Sequence, residues 1–211
     1  MGYTEPVWGS SALVVIDVQE DFLDEGAAPI LGTSAVVPQL GRLVEAFREA
    51  GRPIVHIVRF YVPGGSDVDP PRRAQVEEGL RLVVPGSPGS QLAPGVLGER
   101  FADLDPDLLL SGKPQLVGAD EVVLFKPRWG AFYRTDLERL LHEWAVSTVV
   151  VAGCNLPNCP RATLFEASER NFRTVLVTDA VSQTTPERLA DLEAIGVRLA
   201  TTGGVADALR Q

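Results

Sequence analysis

Cys159 stands where a chain could present a nucleophile. The β-branched, apolar run of residues 149–152 stops at Gly153, and a short loop then leads to Cys159, which begins a predicted helix. Pro160 follows in the first turn, where the missing N–H and fixed φ of proline are best tolerated. A thiol at this position lies at the positive end of the helix dipole, which favours the thiolate. The sequence therefore predicts a reactive cysteine.

Two further ionisable residues, Asp17 and Lys126, also follow apolar runs that are typical of buried strands. Open α/β sheets build their sites at the carboxyl ends of the strands, so both side chains should meet Cys159 there. An aspartate in this place can simply cap the next turn, and a lysine at a strand end is usually solvated. Beside a thiol, however, Asp17 can act as a general base, and Lys126 can hold the thiolate and balance the carboxylate.

Other ways of using the cysteines fit less well. A histidine is the commoner partner of a catalytic thiol, but His56 lies inside an apolar strand and His142 lies several turns along a helix. Cys154 and Cys159 are too few and wrongly spaced for structural zinc, and Arg59 stands where an Asp/His cluster would follow the second strand. We therefore predict no metal site and no cofactor. A redox pair of the two cysteines stays open, although their spacing is not that of a C-x-x-C motif.

The elements that must position these residues alternate between strand and helix. Strands are predicted at residues 11–17, 53–58, 121–126, 147–152, 174–178 and, as a last short strand, 197–200. Helices are predicted from Thr33 or Ser34 to Gly51, from residue 135 onward, at 159–171, at about 186–195 and near 205–209. This alternation predicts a parallel sheet with helices on both faces.

Residues 63–119 are irregular. Proline- and glycine-rich stretches punctuate the segment, and its one strand candidate, residues 82–84, is short. A segment of this kind inside a compact domain is usually a lid, a substrate loop or an oligomer contact. We expect residues 1–211 to form one domain that carries this segment, and to assemble as a homo-oligomer, either a dimer or a tetramer.

Composition and charge exclude several classes of protein. The net charge is −9 and the isoelectric point about 4.8, whereas nucleic-acid binding needs a basic face. The first apolar run, residues 12–16, is too short to span a membrane or to act as an export signal. Two cysteines do not make a disulfide framework, which fits a reducing compartment. We therefore expect a cytoplasmic protein that acts on a small molecule, without nucleic-acid or membrane partners.

Four short motifs together resemble the isochorismatase-like cysteine hydrolase superfamily. They are Val-Val-Ile-Asp17-Val-Gln-Glu-Asp-Phe, Phe-Lys126-Pro-Arg-Trp-Gly-Ala-Phe, the loop and helix start from Gly153 to Cys159-Pro-Arg-Ala-Thr, and Asp179-Ala180 after the fifth strand. Each motif alone is weak, but the first three stand in the right order on the right strands. The resemblance covers essentially the whole chain except residues 63–119.

The resemblance implies a Rossmann-like, three-layer α/β/α fold with a five- or six-stranded, mainly parallel sheet. It also implies an Asp-Lys-Cys triad, which maps onto Asp17, Lys126 and Cys159. A cis peptide bond of the family maps onto Cys154–Asn155, so that the N–H groups of Asn155 and Cys159 would form an oxyanion hole. Because isochorismatases proper lack the cysteine, its presence favours the small-amide hydrolases of the superfamily.

Departures from the family pattern bear on the substrate. Leu156-Pro157 stands where Thr-Asp is more common, Pro160 replaces a common valine, and Arg134 stands where a glycine is usual. The Asp-x-His segment that binds metal in nicotinamidases is absent. The resemblance therefore disfavours nicotinamide as the substrate.

Taken together, these features predict a hydrolase that cleaves a C–N bond, of the amide or carbamoyl type, in a small molecule through a thioester. The residues expected to contact the substrate are Phe22, Arg59, Trp129, Phe132 and Leu156. Two alternatives stay open. One is a vinyl-ether hydrolase of the isochorismatase type, which would not need the thiol, and the other is a non-catalytic member of the fold.

Overall fold

The computed structural model describes residues 2–64, 67–98, 100 and 102–211. Within these residues, one seven-stranded sheet forms the centre of the fold. Its strands are β1 (Ser11–Ile16), β2 (Ile54–Val58), β3 (Gln115–Gly118), β4 (Glu121–Phe125), β5 (Thr148–Gly153), β6 (Arg173–Val181) and β7 (Arg198–Ala200).

The strands lie in the order β3-β4-β2-β1-β5-β6-β7. β1 pairs in parallel with β2 on one side and with β5 on the other, and β3 pairs antiparallel with β4 at one edge. The chain builds the sheet outward from β1 through β2 to β4, then returns to the far side of β1 with β5. The strand order therefore reverses between β1 and β5, and such a switch point is where open α/β sheets bind ligands.

β1 shows why the first strand reads as a continuous apolar run. All six of its residues are buried. Leu13 and Val15 point into one core cluster, whereas Val14 and Ile16 point into the cluster on the opposite face. A central parallel strand needs apolar side chains on both faces, and Asp17 follows as soon as this requirement ends.

Helices cover both faces of the sheet. They are α1 (Thr33–Glu49), α2 (Pro70–Glu77), α3 (Pro106–Leu110), α4 (Leu137–Glu143), α5 (Cys159–Glu169), α6 (Pro186–Ala194) and α7 (Thr202–Leu209). Phe47 of α1 and Val205 of α7 belong to one core cluster, and Leu141, Leu164 and Leu192 of α4, α5 and α6 belong to the other. The predicted three-layer α/β/α fold is therefore confirmed.

The number of strands differs from the prediction, because the sheet has seven strands rather than five or six. The additional strand is β3, a partly buried edge strand of four residues. So short an edge strand has too little apolar periodicity to stand out within residues 63–119. The strand candidate at residues 82–84 was wrong, because Val83 has a φ of +39° and donates its N–H to Asp21 Oδ2 at 2.6 Å.

The Asp179-Ala180 motif has a structural role at the end of the chain. The Asp179 carboxylate accepts hydrogen bonds from the N–H and the hydroxyl of Thr202, at 2.8 and 3.0 Å. These bonds satisfy the start of α7, which begins at residue 202 rather than near residue 205 as predicted.

The irregular segment is built mainly of α2, a 3-10 turn at Pro88–Ser90, α3 and β3. Its residues Val68 and Leu82 pack in a small cluster with Phe22, Tyr61 and Cys154, which lie near the carboxyl edge of the sheet. Part of the segment therefore covers the switch point. None of the described helices has the length and apolar character needed to cross a membrane.

Candidate active site

Asp17 is the first residue beyond β1, and its backbone turns there with a φ of +52°. Its N–H still donates to the Ile57 carbonyl at 2.9 Å, so its position remains tied to the sheet. The side chain is only 7% exposed, and Oδ2 lies 2.8 Å from Lys126 Nζ. Among the described residues, Oδ1 has no hydrogen-bond partner. A buried carboxylate oxygen without a donor is a ready acceptor for a proton.

Lys126 follows β4, and its N–H donates to the Val58 carbonyl of β2 at 3.0 Å. The side chain is 1% exposed and reaches across β2 to Asp17. Burial acts to lower the pKa of Lys126, but the negative charges of Asp17 and Cys159 outweigh burial and raise it above its ordinary value. Lys126 is therefore a permanent cation next to the carboxylate.

Cys159 is the first residue of α5, with its sulfur 3.4 Å from Lys126 Nζ. Burial raises the pKa of the Cys159 thiol, and the charge of Asp17 raises it further, whereas Lys126 lowers it without cancelling these effects. The prediction that the helix start alone favours a thiolate was therefore wrong for the resting site. Proximity to Asp17 dominates over the helix dipole, and the thiol keeps its proton.

The loop between β5 and α5 passes directly beneath the thiol. Its Cys154–Asn155 peptide bond is cis, as the family resemblance implies. The Asn155 side chain donates to Gln183 Oε1 at 2.8 Å, and the Leu156 N–H donates to the Ser182 carbonyl at 3.0 Å, which ties the loop to the end of β6. Within the described part of the chain, the backbone N–H groups of Asn155 and Cys159 have no hydrogen-bond acceptor. Both are available to a ligand.

Asp17, Lys126 and Cys159 share one cavity of about 200 Å³. The other side chains of its wall are those of Phe22, Ile30, Arg59, Tyr61, Asp69, Pro71, Arg72, Trp129, Cys154, Asn155 and Asn158. Cavities that take drug-sized ligands are larger, at about 300–1,000 Å³. This cavity therefore suits a small molecule.

Three of the five predicted substrate contacts line the cavity and two do not. Phe22, Arg59 and Trp129 are in its wall. Phe132 and Leu156 are instead buried in the core cluster between the sheet and α4, α5 and α6. Both are large apolar side chains close in sequence to the motifs, but they point away from the cavity because the core needs them.

Arg59 follows β2 and is held in place from several sides. Its guanidinium donates to the carbonyls of Phe60 and Asp67, at 2.5 and 2.8 Å. The Asp67 and Asp69 carboxylates lie 3.5 and 3.7 Å away, and the Tyr61 ring centroid lies 4.4 Å from Cζ. Arg59 is therefore a fixed part of the wall whose charge is already balanced.

The residues of this cavity do not fit a metal ion. Its two carboxylates, Asp17 and Asp69, each face a basic side chain, Lys126 and Arg59 respectively. Across the described ranges, no three His, Cys, Asp or Glu side chains come together as ligands. Carboxylates that are already neutralised by cations are poor partners for a divalent ion.

Sequence reasoning missed the cavity residues that belong to the irregular segment and its approach, above all Tyr61, Asp69 and Arg72. Tyr61 donates its hydroxyl to Asp69 Oδ2 at 3.1 Å, and burial raises its pKa to about 12. The dipeptide Pro70-Pro71 after Asp69 is a helix-start signal that could have located α2. Nothing in the local sequence indicates that α2 returns to the carboxyl edge of the sheet.

Comparisons with known proteins agree with this fold and site. The isochorismatase domain model matches residues 11–202. The chain is 32% identical over 201 residues to a probable inactive nicotinamidase of Arabidopsis thaliana, covering 92% of this chain and 93% of that protein. It is 33% identical over 190 residues to the maleamate amidohydrolase of Pseudomonas putida, covering 83% of this chain and 76% of that protein.

The fold is also similar to that of solved structures. An isochorismatase family protein from Desulfovibrio vulgaris has a TM-score of 0.79 and 31% sequence identity, with 96% of this chain and 99% of that chain covered. The similar region therefore includes the irregular segment as well as the sheet.

Proposed function

The chain belongs to the isochorismatase family, and within that family we propose that it is a cysteine-dependent hydrolase of an amide or carbamoyl C–N bond in a small molecule. The observation that carries the proposal is the position of Lys126 Nζ, 2.8 Å from Asp17 Oδ2 and 3.4 Å from Cys159 Sγ in the wall of one cavity. A base, a cation and a thiol are the groups that acyl transfer through sulfur needs. The name of a relative, maleamate amidohydrolase, supports a C–N bond as the target.

The first step is activation of the thiol. Because its pKa is raised, Cys159 rests as a neutral thiol beside a carboxylate. Asp17 takes the thiol proton on Oδ1, the oxygen for which no partner is found among the described residues. Lys126 then holds the new thiolate while it remains hydrogen-bonded to Asp17. The negative charge thus moves from oxygen to sulfur without leaving the reach of the ammonium group.

The thiolate next attacks the carbonyl carbon of the substrate. A C–S bond forms, and the carbonyl π electrons move to oxygen as a tetrahedral intermediate. The N–H groups of Asn155 and Cys159 are the donors available for this oxyanion. Each donor of such a pair contributes about 10²–10³-fold to the rate in enzymes where it has been removed.

Collapse of the intermediate breaks the C–N bond. The amine or ammonia leaves with the proton that Asp17 received from the thiol, and a thioester on Cys159 remains. Asp17 then takes a proton from water, the hydroxide attacks the thioester carbonyl, and the thiolate leaves and recovers its proton from Asp17. The sum is hydrolysis of the C–N bond with the protein unchanged.

A screen for released ammonia or amine tests the proposal. It covers small primary amides, carbamoyl compounds and cyclic amides, with the Cys159→Ala variant as the matched control. We expect turnover by the wild type that iodoacetamide and Cys159→Ala both abolish. Cleavage of an isochorismate-type vinyl ether that survives both treatments would identify the protein as a vinyl-ether hydrolase. Failure of all these compounds would favour a non-catalytic role, which the name of the Arabidopsis relative suggests for that protein.

A further inference from the structure

Arg72 differs from the other charged side chains of the cavity wall. Asp17 pairs with Lys126 at 2.8 Å, and Arg59 lies between the carboxylates of Asp67 and Asp69. Within the described part of the chain, Arg72 has neither a carboxylate within 4.0 Å nor an acceptor for its side-chain N–H groups, although it lines the same cavity. Its positive charge is therefore the one that the wall leaves unbalanced.

The position of Arg72 directs this charge to the interior of the cavity. It lies in the first turn of α2, it is partly exposed, and its Cζ is 5.7 Å from the ring centroid of Phe22. Burial raises the pKa of Tyr61 and of Cys154 to about 12, and in both cases the positive charge of Arg72 acts against burial. The guanidinium is thus close to two different walls of the cavity.

An unpaired guanidinium in a small cavity is costly unless a ligand uses it. The chain as a whole carries a net charge of −9, so a local excess of positive charge is not a general property of its surface. Five N–H donors in a planar fork match the two oxygens of a carboxylate better than any neutral group. Phe22, Ile30 and Trp129 add apolar surface to the same wall.

We propose that the substrate is an anionic amide, a small molecule with a carboxylate that Arg72 binds while its amide carbonyl lies at Cys159. This inference rests on the proposed hydrolase activity and specifies its substrate class. Arg72 would act on affinity and selection, because it does not belong to the groups that move the proton or form the thioester. The irregular segment would thus supply the specificity of the site and the sheet its chemistry.

Binding to the Cys159→Ala protein tests the proposal without turnover. The probes are succinamate, which has a carboxylate, and succinamide, which has a neutral carboxamide in its place. We expect calorimetry to give at least about 10-fold tighter binding of succinamate, as a charged hydrogen bond provides. Adding Arg72→Gln should remove the preference, and Arg72→Lys should keep part of it. Arg73→Gln is the control, since Arg73 lies on the same helix outside the cavity wall and donates to the Val68 carbonyl.

Kinetics of the protein with an intact Cys159 give a second measurement. With Arg72→Gln, kcat/KM for succinamate should fall about 10- to 100-fold, mainly through KM. The value for butyramide, which lacks the carboxylate, should change much less. A structural defect would instead lower both values together.

Several results would overturn the proposal. They are equal binding of succinamate and succinamide, no measurable binding of succinamate, a preference that survives Arg72→Gln, and equal effects of Arg72→Gln and Arg73→Gln. Selective binding of succinamate that depends on Arg72, without hydrolysis of any amide, would keep the anion site and reject the hydrolase. Hydrolysis of neutral amides in preference to succinamate would do the reverse.

Discussion

Asp17 Oδ2 and Lys126 Nζ lie 2.8 Å apart, although they follow strands β1 and β4, which β2 separates in the sheet. Both side chains are buried, with exposures of 7% and 1%. A lone charge in such a place is strongly unfavourable, so each group stabilises the ionised form of the other. The pair therefore links the stability of the fold to the state of the thiol beside it.

Replacing Lys126 by Met should impair both stability and catalysis. The change leaves Asp17 as an unpaired buried charge, so we expect the free energy of unfolding to fall by roughly 3–5 kcal/mol in urea denaturation. Turnover should fall by about 100-fold or more, because the thiolate loses its cation. The double variant Asp17→Asn/Lys126→Met removes both charges and should regain much of the stability. A Lys126→Met protein as stable as the wild type would contradict this account.

Asp17→Asn should make Cys159 more reactive towards iodoacetamide while it removes turnover. Asp17 raises the pKa of the thiol and Lys126 lowers it. Loss of the carboxylate charge should therefore lower the pKa of Cys159 and shift the pH profile of alkylation to lower pH. The measurement is the alkylation rate against pH in a Cys154→Ala background, which leaves a single thiol. Slower alkylation of Asp17→Asn at neutral pH would mean that Asp17 does not act on the sulfur.

Cys154→Ala should leave turnover close to that of the wild type, whereas Cys159→Ala should abolish it. Cys154 is 1% exposed, accepts a hydrogen bond from Thr33 Oγ1 at 3.4 Å, and has a pKa that burial raises to about 12. Such a thiol is neither ionised nor accessible at neutral pH. Steady-state rates of the two variants provide the test. Equal losses in both would point to the redox pair that the sequence leaves open.

Glu121 should govern acid stability from the opposite edge of the sheet. It is the first residue of β4, is 3% exposed, and binds Arg48 at 2.7 Å, His56 at 2.8 Å and Arg100 at 2.8 Å. Burial acts to raise its pKa, but the hydrogen bonds and charges of His56 and Arg48 outweigh burial and lower the pKa to about 2. Ionised Glu121 therefore stabilises the fold above about pH 4.5, and this contribution is lost as the pH falls towards 2.

Glu121→Gln should accordingly lower the free energy of unfolding by roughly 3–5 kcal/mol at neutral pH. The difference from the wild type should shrink between about pH 4.5 and pH 2, and the folded variant should keep its turnover. Glu143→Gln is the control, because Glu143 is exposed and its pair with Arg139 at 2.7 Å should contribute only about 0.2–1 kcal/mol. A difference that persists unchanged at pH 2 would rule out this ionisation as the cause.

The positions of Asp17, Lys126 and Cys159 could be predicted from the sequence because each follows a strong local signal. An apolar run ends at each strand, and the carboxyl ends of parallel strands meet at one edge. Local sequence does not decide which way a side chain points, so Phe132 and Leu156 were expected in the cavity although they belong to the core.

Arg72 and Asp69 could not be placed in the same way. Their contribution depends on how α2 packs against the sheet, and the contacts of that segment with Tyr61 and Cys154 are distant in sequence. The state of the thiol was also beyond local reasoning. The helix start predicts a low pKa, whereas burial and Asp17 raise it.

The central claim is that a covalent thioester forms on Cys159. The most direct measurement is acid quench of the wild-type protein during turnover of an amide found in the screen, followed by intact mass spectrometry and peptide mapping. We predict an added mass equal to the acyl part of the substrate, located on Cys159, sensitive to hydroxylamine and absent from Cys159→Ala. Turnover at the same rate with no adduct on any residue, or an adduct on Cys154 alone, would contradict the claim.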